Sequence, residues 1–289
     1  MLKGKSLFLL ALISLVLLQG CGSPQADYFF LDWKFYLGEV PEALDDGYDD
    51  SQWQQVAIPH DWSIEQSYTT ENTAASTGFL PGGIGWYRKS FVLGDTETKH
   101  VRVEFDGIYN NSKVWLNGIL LGDRPYGYSS FSYDLTEHLL PAGEENVLAV
   151  RVDRTNYADS RWYTGSGIYR DVRLVVTSEV HIPQWGVQIT TPEISSQASE
   201  VLVKTEVDPG SRAGESIGLD VWIKDPSGAE VASWSEEITL EKSNLLTAKL
   251  EVKNPRLWSL ETPDLYTAEV SLKSGGKQLD QSVNVFGIR

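Results

Sequence analysis

Residues 101–121 read Val-Arg-Val-Glu-Phe-Asp-Gly-Ile-Tyr-Asn-Asn-Ser-Lys-Val-Trp-Leu-Asn-Gly-Ile-Leu-Leu, and this stretch decides the fold. Val101, Val103 and Phe105 alternate with Arg102 and Glu104, the period-2 pattern of a strand with one buried face. Lys113 to Leu116 and Ile119 to Leu121 then flank Asn117-Gly118. Asn-Gly between two apolar runs signals a hairpin, because a type I′ turn needs positive φ at both central residues. Further out, Leu148, Val150 and Val152 alternate again, as do Val172, Leu174 and Val176. Many short strands with such turns predict a β-sandwich, and no stretch sustains the periodicity of a helix.

The composition changes near residues 177–184, where an aromatic- and glycine-rich block gives way to plainer sequence. Beyond it, Val201 to Val207, Gly218 to Lys224, Glu230 to Trp234, Leu245 to Val252, Tyr266 to Leu272 and Gln281 to Phe286 read as strands. Asp225-Pro226-Ser227-Gly228 is a turn between two of them. That strand count and length suit an immunoglobulin-like sandwich. The expected architecture is therefore all-β, with one sandwich over residues 28–178 and a second over 179–286.

The N-terminus carries a different signal. Lys3 and Lys5 precede an apolar run from Leu7 to Leu18, broken only by Ser14. A membrane-spanning helix needs about 20 apolar residues, so this run is short for one. Leu18-Gln19-Gly20-Cys21 follows and resembles the signal of a bacterial lipoprotein. The resemblance implies removal of residues 1–20, acylation of Cys21 and a tether over residues 21–27. Gly22, rather than an aspartate, after Cys21 points to the outer membrane of a bacterial cell envelope. Cys21 is the only cysteine, so no disulfide forms within the chain. The formal net charge of −16 disfavours a nucleic-acid partner.

Several stretches of the first block resemble the sugar-binding domain of glycoside hydrolase family 2. They are Trp33 to Tyr36, Pro59-His60-Asp61-Trp62, Gly82 to Arg88, Phe105 to Gly118, Pro125 to Asp134 and Arg161 to Arg170. Their order and spacing are similar to the family's, and their variants look most like its β-galactosidase branch. The resemblance implies a jelly-roll, galactose-binding-like sandwich. Pro255 to Trp258, Pro263 to Tyr266 and Val285 to Arg289 resemble the family's immunoglobulin-like domain and the strand leading into its catalytic (β/α)₈ barrel. Residues 287–289 would begin that barrel, which is otherwise absent from this sequence.

The family resemblance implies a retaining exo-glycosidase, which needs two carboxyls about 5–5.5 Å apart. In the family both are barrel glutamates, so no catalytic residue is carried over to this chain, which alone is expected to be inactive. The branch's sugar-facing loop corresponds to Asn156 to Tyr163. Within it, Arg161 is the first substrate-binding candidate, since a guanidinium offers a rigid fork of donors to adjacent hydroxyls. Asp159 is the second, as a charged acceptor. A surface ion pair between the two is the plainer alternative.

Other residues read mainly as architecture. Trp86 and Tyr87 are expected to pack, and His60 with Asp61 to order a turn. Gly82, Gly83, Gly165 and Gly167 are expected to supply positive φ. Trp162 and Tyr163 are divided between packing and lining the sugar site. The scattered histidines and Cys21 form no metal-ligand pattern, and no cofactor is implied for this chain. The expected partners are a terminal β-galactoside or other sugar, the membrane through the lipid, and, as in many family enzymes, a second copy of the protein. Two other readings remain open: a stand-alone carbohydrate-binding lipoprotein and a structural surface protein.

Overall fold

The computed structural model describes residues 25–156 and 160–289. Cys21 and Asp159 lie outside the described residues.

Two β-sandwiches follow one another. In the first, one sheet has the order β1 (Gln25–Tyr28), β10 (Val172–Ser178), β5 (Lys99–Phe105), β8 (Phe131–Asp134). The facing sheet runs β3 (Gln54–Val56), β2 (Trp33–Leu37), β4 (Gly83–Val92), β9 (Glu145–Arg154), β6 (Ser112–Leu116), β7 (Ile119–Arg124). The alternating residues meet between them: Val101, Val103 and Phe105 share one buried cluster with Leu148, Val150, Val152, Val172, Leu174 and Val176. The β6–β7 hairpin turns on Asn117 (φ 50°) and Gly118 (φ 78°). Asn117 also ties the hairpin to β9, its Oδ1 accepting from the Val147 N–H at 2.9 Å.

The six-stranded sheet is buried on both faces, which simple alternation does not convey. Val147 to Val150 are consecutively buried, as are Trp86 and Tyr87. Tyr87 points into the inter-sheet core, while Trp86 stacks on Trp115 (5.4 Å) beneath residues 40–53 in a separate cluster with Ala43, Trp53 and Ala149. Arg88, only 2% exposed, fastens this covering segment. Its guanidinium donates to Asp50 Oδ2 (2.7 Å) and to the carbonyls of Ala43 (2.5 Å), Asp45 (2.7 Å), Asp46 (3.1 Å) and Tyr48 (3.4 Å).

The second sandwich packs the sheet β11 (Val187–Thr190), β12 (Ala198–Val207), β15 (Asn244–Lys253) on the sheet β14 (Glu230–Thr239), β13 (Ser216–Lys224), β16 (Tyr266–Ser274), β17 (Lys277–Phe286). Strands β12, β13 and β15 follow the period-2 pattern closely, and Val201, Val203, Leu219, Val221, Ile223, Val270 and Leu272 are at or near zero exposure. At the turn after β13, Asp225 Oδ1 accepts from the Ser227 N–H (2.8 Å) and Gly228 takes φ 86°. The short strand β11 was not among those read from the sequence. At the seam between the sandwiches, His100 stacks on His181 at 3.9 Å, and buried Asp280 accepts from the Ile182 N–H at 2.7 Å.

Candidate functional site

Three loops gather at one end of the first sandwich. A cis bond at Ile58-Pro59 leads into His60-Asp61-Trp62. The His60 N–H donates to the Ile168 carbonyl (2.8 Å) and the Trp62 N–H to the Ser166 carbonyl (3.2 Å), so this segment runs along residues 166–168. On its other side Gly167 exchanges backbone bonds with Tyr109.

Asp61 is the hub. Its Oδ1 accepts from the N–H groups of Ser63 and Ser166, each at 3.0 Å, and its Oδ2 from the Tyr163 hydroxyl. Ser63 Oγ donates to the Pro81 carbonyl (2.7 Å) and pairs with Ser166 Oγ (2.6 Å). Burial, reinforced by the Asp61 carboxylate, pushes the Tyr163 phenol far above its ordinary range. Asp61 therefore does more than order a turn: it joins loops about 100 residues apart.

His60 lies beneath this hub, 7% exposed. Its Nδ1 is 2.7 Å from the Tyr87 hydroxyl and its Nε2 is 3.3 Å from Glu65 Oε1. Burial lowers its pKa, against the pull of Glu65. A neutral ring accepting at Nδ1 from the Tyr87 hydroxyl fits the shorter contact, while Nε2 stands near Glu65 without a hydrogen bond, which is a structural arrangement. The glycines divide by cause. Gly83, Gly165 and Gly167 have φ of 115°, 77° and 119°. Gly82 does not need positive φ; a Cβ there would stand 2.1 Å from the Arg154 carbonyl oxygen, so close backbone approach is the constraint.

The rim above the hub is aromatic and polar. Trp162 is 59% exposed, and its Nε1–H donates to the Tyr128 hydroxyl at 2.9 Å. Tyr128 in turn meets Tyr109 and Tyr126 edge-on. Trp162 and Tyr163 thus both reach the surface, with their polar tips anchored. Arg154, 3% exposed, donates to Thr164 Oγ1 (3.2 Å) and to the Asn156 carbonyl, bracing both stems of the loop. Arg161 is exposed and makes no hydrogen bond or ion pair with a described residue. Free guanidinium donors beside exposed rings suit a ligand that is flat on one side and hydroxylated at its edge.

Sequence reasoning pointed to Arg161 and its loop but missed the reach of Asp61. The Asp-x-Ser spacing was a local signal for its bond to Ser63. Nothing local marks Ser166 or Tyr163 as partners. Among the described residues, no group of three or more His, Cys, Asp or Glu is placed to hold a metal ion.

Comparison with known proteins puts this geometry in context. The chain is 41% identical over 265 residues to β-galactosidase BoGH2A of Bacteroides ovatus, covering 90% of this chain and 31% of that protein. It is 36% identical to a putative β-glucuronidase of Formosa agariphila, covering 89% of this chain and 24% of that protein. The crystal structure of a glycosyl hydrolase family 2 member from Bacteroides cellulosilyticus superposes with a TM-score of 0.87 at 35% identity, over 91% of this chain and 35% of that one. The chain thus spans less than a third of the length of these two curated relatives. The family's sugar-binding domain model matches residues 31–178 and its family 2 model matches residues 180–289, so the chain belongs to the glycosyl hydrolases family 2.

Proposed function

We propose that this chain is the front part of a retaining exo-glycosidase acting on terminal β-galactosides. It supplies a sugar-facing loop and a scaffold, and the two catalytic glutamates lie on a barrel outside this sequence. The observation that carries the reading is Arg161, exposed and unpaired among the described residues, beside Trp162 and above a loop fixed by Asp61. Arg161 donates to adjacent sugar hydroxyls, and Asp159 accepts from one. The β-galactoside assignment is supported by the higher identity to the Bacteroides ovatus β-galactosidase than to the β-glucuronidase.

A guanidinium at this place would also suit the carboxylate of a glucuronide, so the test compares both. In the whole enzyme, Arg161→Ala should lower kcat/KM for an aryl β-galactoside by about 10- to 100-fold, the loss of roughly 1.5–3 kcal/mol expected for a charged hydrogen bond. A wild-type preference for the aryl β-glucuronide would overturn the galactoside assignment. The 289-residue chain alone is expected to hydrolyse neither, since this reading puts both catalytic glutamates on the barrel. Tight galactoside binding without any barrel would favour a carbohydrate-binding lipoprotein instead.

The same reading places the protein at the cell envelope, acylated on Cys21. Its mature mass and its partition into a detergent phase check this, and Cys21→Ser should release it into the soluble fraction.

A further inference from the structure

The second sandwich does not close fully on the first. Between them lies a cleft of about 260 Å³. Its floor is the outer face of the first sandwich's four-stranded sheet, where Arg102 and Glu104 of β5 and Arg173 of β10 point away from core-facing Val101, Val103 and Leu174. Its wall is residues 182–185 and residues 280–282 of β17. The cleft shares no lining residue with the loops of Asp61, Arg161 and Trp162.

Most of the polar atoms here are spent on one another. Glu104 accepts from Arg102 Nε (2.9 Å) and from Arg173 Nε (3.3 Å), and the remaining fork of Arg173 donates to both Asp106 oxygens at 2.8 and 2.6 Å. On the wall, Asp280 is 2% exposed and accepts from the Ile182 N–H (2.7 Å) and the Gln281 N–H (2.8 Å). Two buried atoms are left over among the described residues. Arg102 Nη1 has no acceptor and Gln184 Oε1 has no donor, and both side chains line the cleft. Leaving buried polar atoms unmatched is costly. A hydroxyl group both donates and accepts, so a hydroxylated ligand answers the two together.

Trp185 lines the same cleft and is 70% exposed at φ 59°. Positive φ is unfavourable for a bulky residue, and a ring this open recovers little by burial. A tight turn holds it there: the Gly186 N–H donates to the Pro183 carbonyl (2.9 Å), and the Glu206 N–H to the Gly186 carbonyl (2.7 Å). Glycine would take the same backbone without strain. The indole is thus held, at a conformational cost, with an open face beside a polar cleft.

These features select a ligand. The cleft is smaller than the roughly 300–1,000 Å³ of drug-sized pockets, so one ring fits and an extended chain does not. Its lining carries three carboxylates (Glu104, Asp106, Asp280) against two guanidiniums, which disfavours an anion. We propose that the cleft is a second carbohydrate-binding site, taking one neutral hexose ring. The ring lays its C–H face on Trp185, and its hydroxyls donate to Gln184 Oε1 and accept from Arg102 Nη1.

The test uses the full chain labelled with fluorotryptophan and followed by fluorine NMR, with methyl β-galactoside as the probe. The Trp185 signal is assigned by its loss in Trp185→Gly, a change that relieves the backbone and should leave the fold intact. The Trp162 signal, assigned in the same way, reports on the rim separately. Methyl β-galactoside should shift the Trp185 signal saturably, and methyl β-glucuronide should need a several-fold higher concentration. Gln184→Leu removes the orphan acceptor and leaves the Arg102–Glu104 pair in place. It should weaken the galactoside response of Trp185 by about 2- to 10-fold, as expected for one hydrogen bond. A Trp185 signal that neither sugar moves overturns the proposal and leaves a hydrated cleft, whether or not Trp162 responds. An equal response to the two sugars, or one unchanged in Gln184→Leu, overturns the assigned contacts. A Trp162 signal that stays still while Trp185 moves counts against the rim and not against the cleft.

Discussion

The two sandwiches keep their shape by different means. In the second, β12, β13 and β15 alternate buried and open positions over nine or ten residues, and their register follows. In the first, the strands do the same between the sheets, but the remainder is secured by polar side chains that reach far along the sequence. Arg88 holds residues 43–50, Asp61 holds Tyr163 and Ser166, and Asn117 holds β9. A sheet that buries one face needs only a pattern. A sheet covered on its outer face, with loops shaped into a site, needs specific ties.

The largest expected effect tests that contrast directly. Arg88→Met fills similar space but leaves four carbonyls and the Asp50 carboxylate without their donor. Breaking a buried charge network of this kind costs about 3–5 kcal/mol. Urea unfolding followed separately for each sandwich should show the first transition moving to lower urea while the second stays. Movement of both together would mean that the sandwiches do not unfold independently, and the contrast would fail.

The same division explains what the sequence made legible. Alternation at Val101–Phe105, Leu148–Val152 and Val201–Val207 marked strands because burying one face imposes period 2. Asn117-Gly118 marked its turn because φ is a local property. β11 escaped because Val187–Thr190 is four residues long, so its alternation of Val187 and Ile189 with Gln188 and Thr190 spans only two periods. At the site, Arg161 became a candidate through the family motif, and the structure places it on the exposed rim. Asp61 was underestimated because its partners, Ser166 and Tyr163, are brought to it only by the fold. Gly82 was given the wrong cause because a close approach from Arg154 is tertiary, not local.

A smaller effect probes the loop hub. Asp61→Ala removes one acceptor from two N–H groups and a hydroxyl. Hydrogen bonds to a charged group contribute about 1.5–3 kcal/mol. Thermal unfolding of the first sandwich should weaken by that order. Trypsin should also cut faster after exposed Arg161, with the site located by mass, because the loop loses its tie. Unchanged cleavage and stability would show that the aromatic rim, not Asp61, shapes the loop.

The smallest expected effect lies at the seam, where the two kinds of construction meet. Burial, with help from stacked His181 and from Arg102, lowers the His100 pKa from 6.5 to about 4, while Asp134 and Asp208 pull the other way. Between these values the unfolded chain binds more protons at this residue than the folded protein does, so folding weakens as pH falls through the window. Asp280, raised by burial, acts in the opposite sense, since its folded form keeps a proton to higher pH. Because the imidazole is partly solvated, its share is of the order of 1 kcal/mol, or about 2–4 °C in Tm. His100→Phe keeps a ring against His181 and removes the titration. Its Tm should fall less than that of the wild type between pH 7 and pH 4.5. Parallel losses would place the acid sensitivity outside the His100–His181 stack.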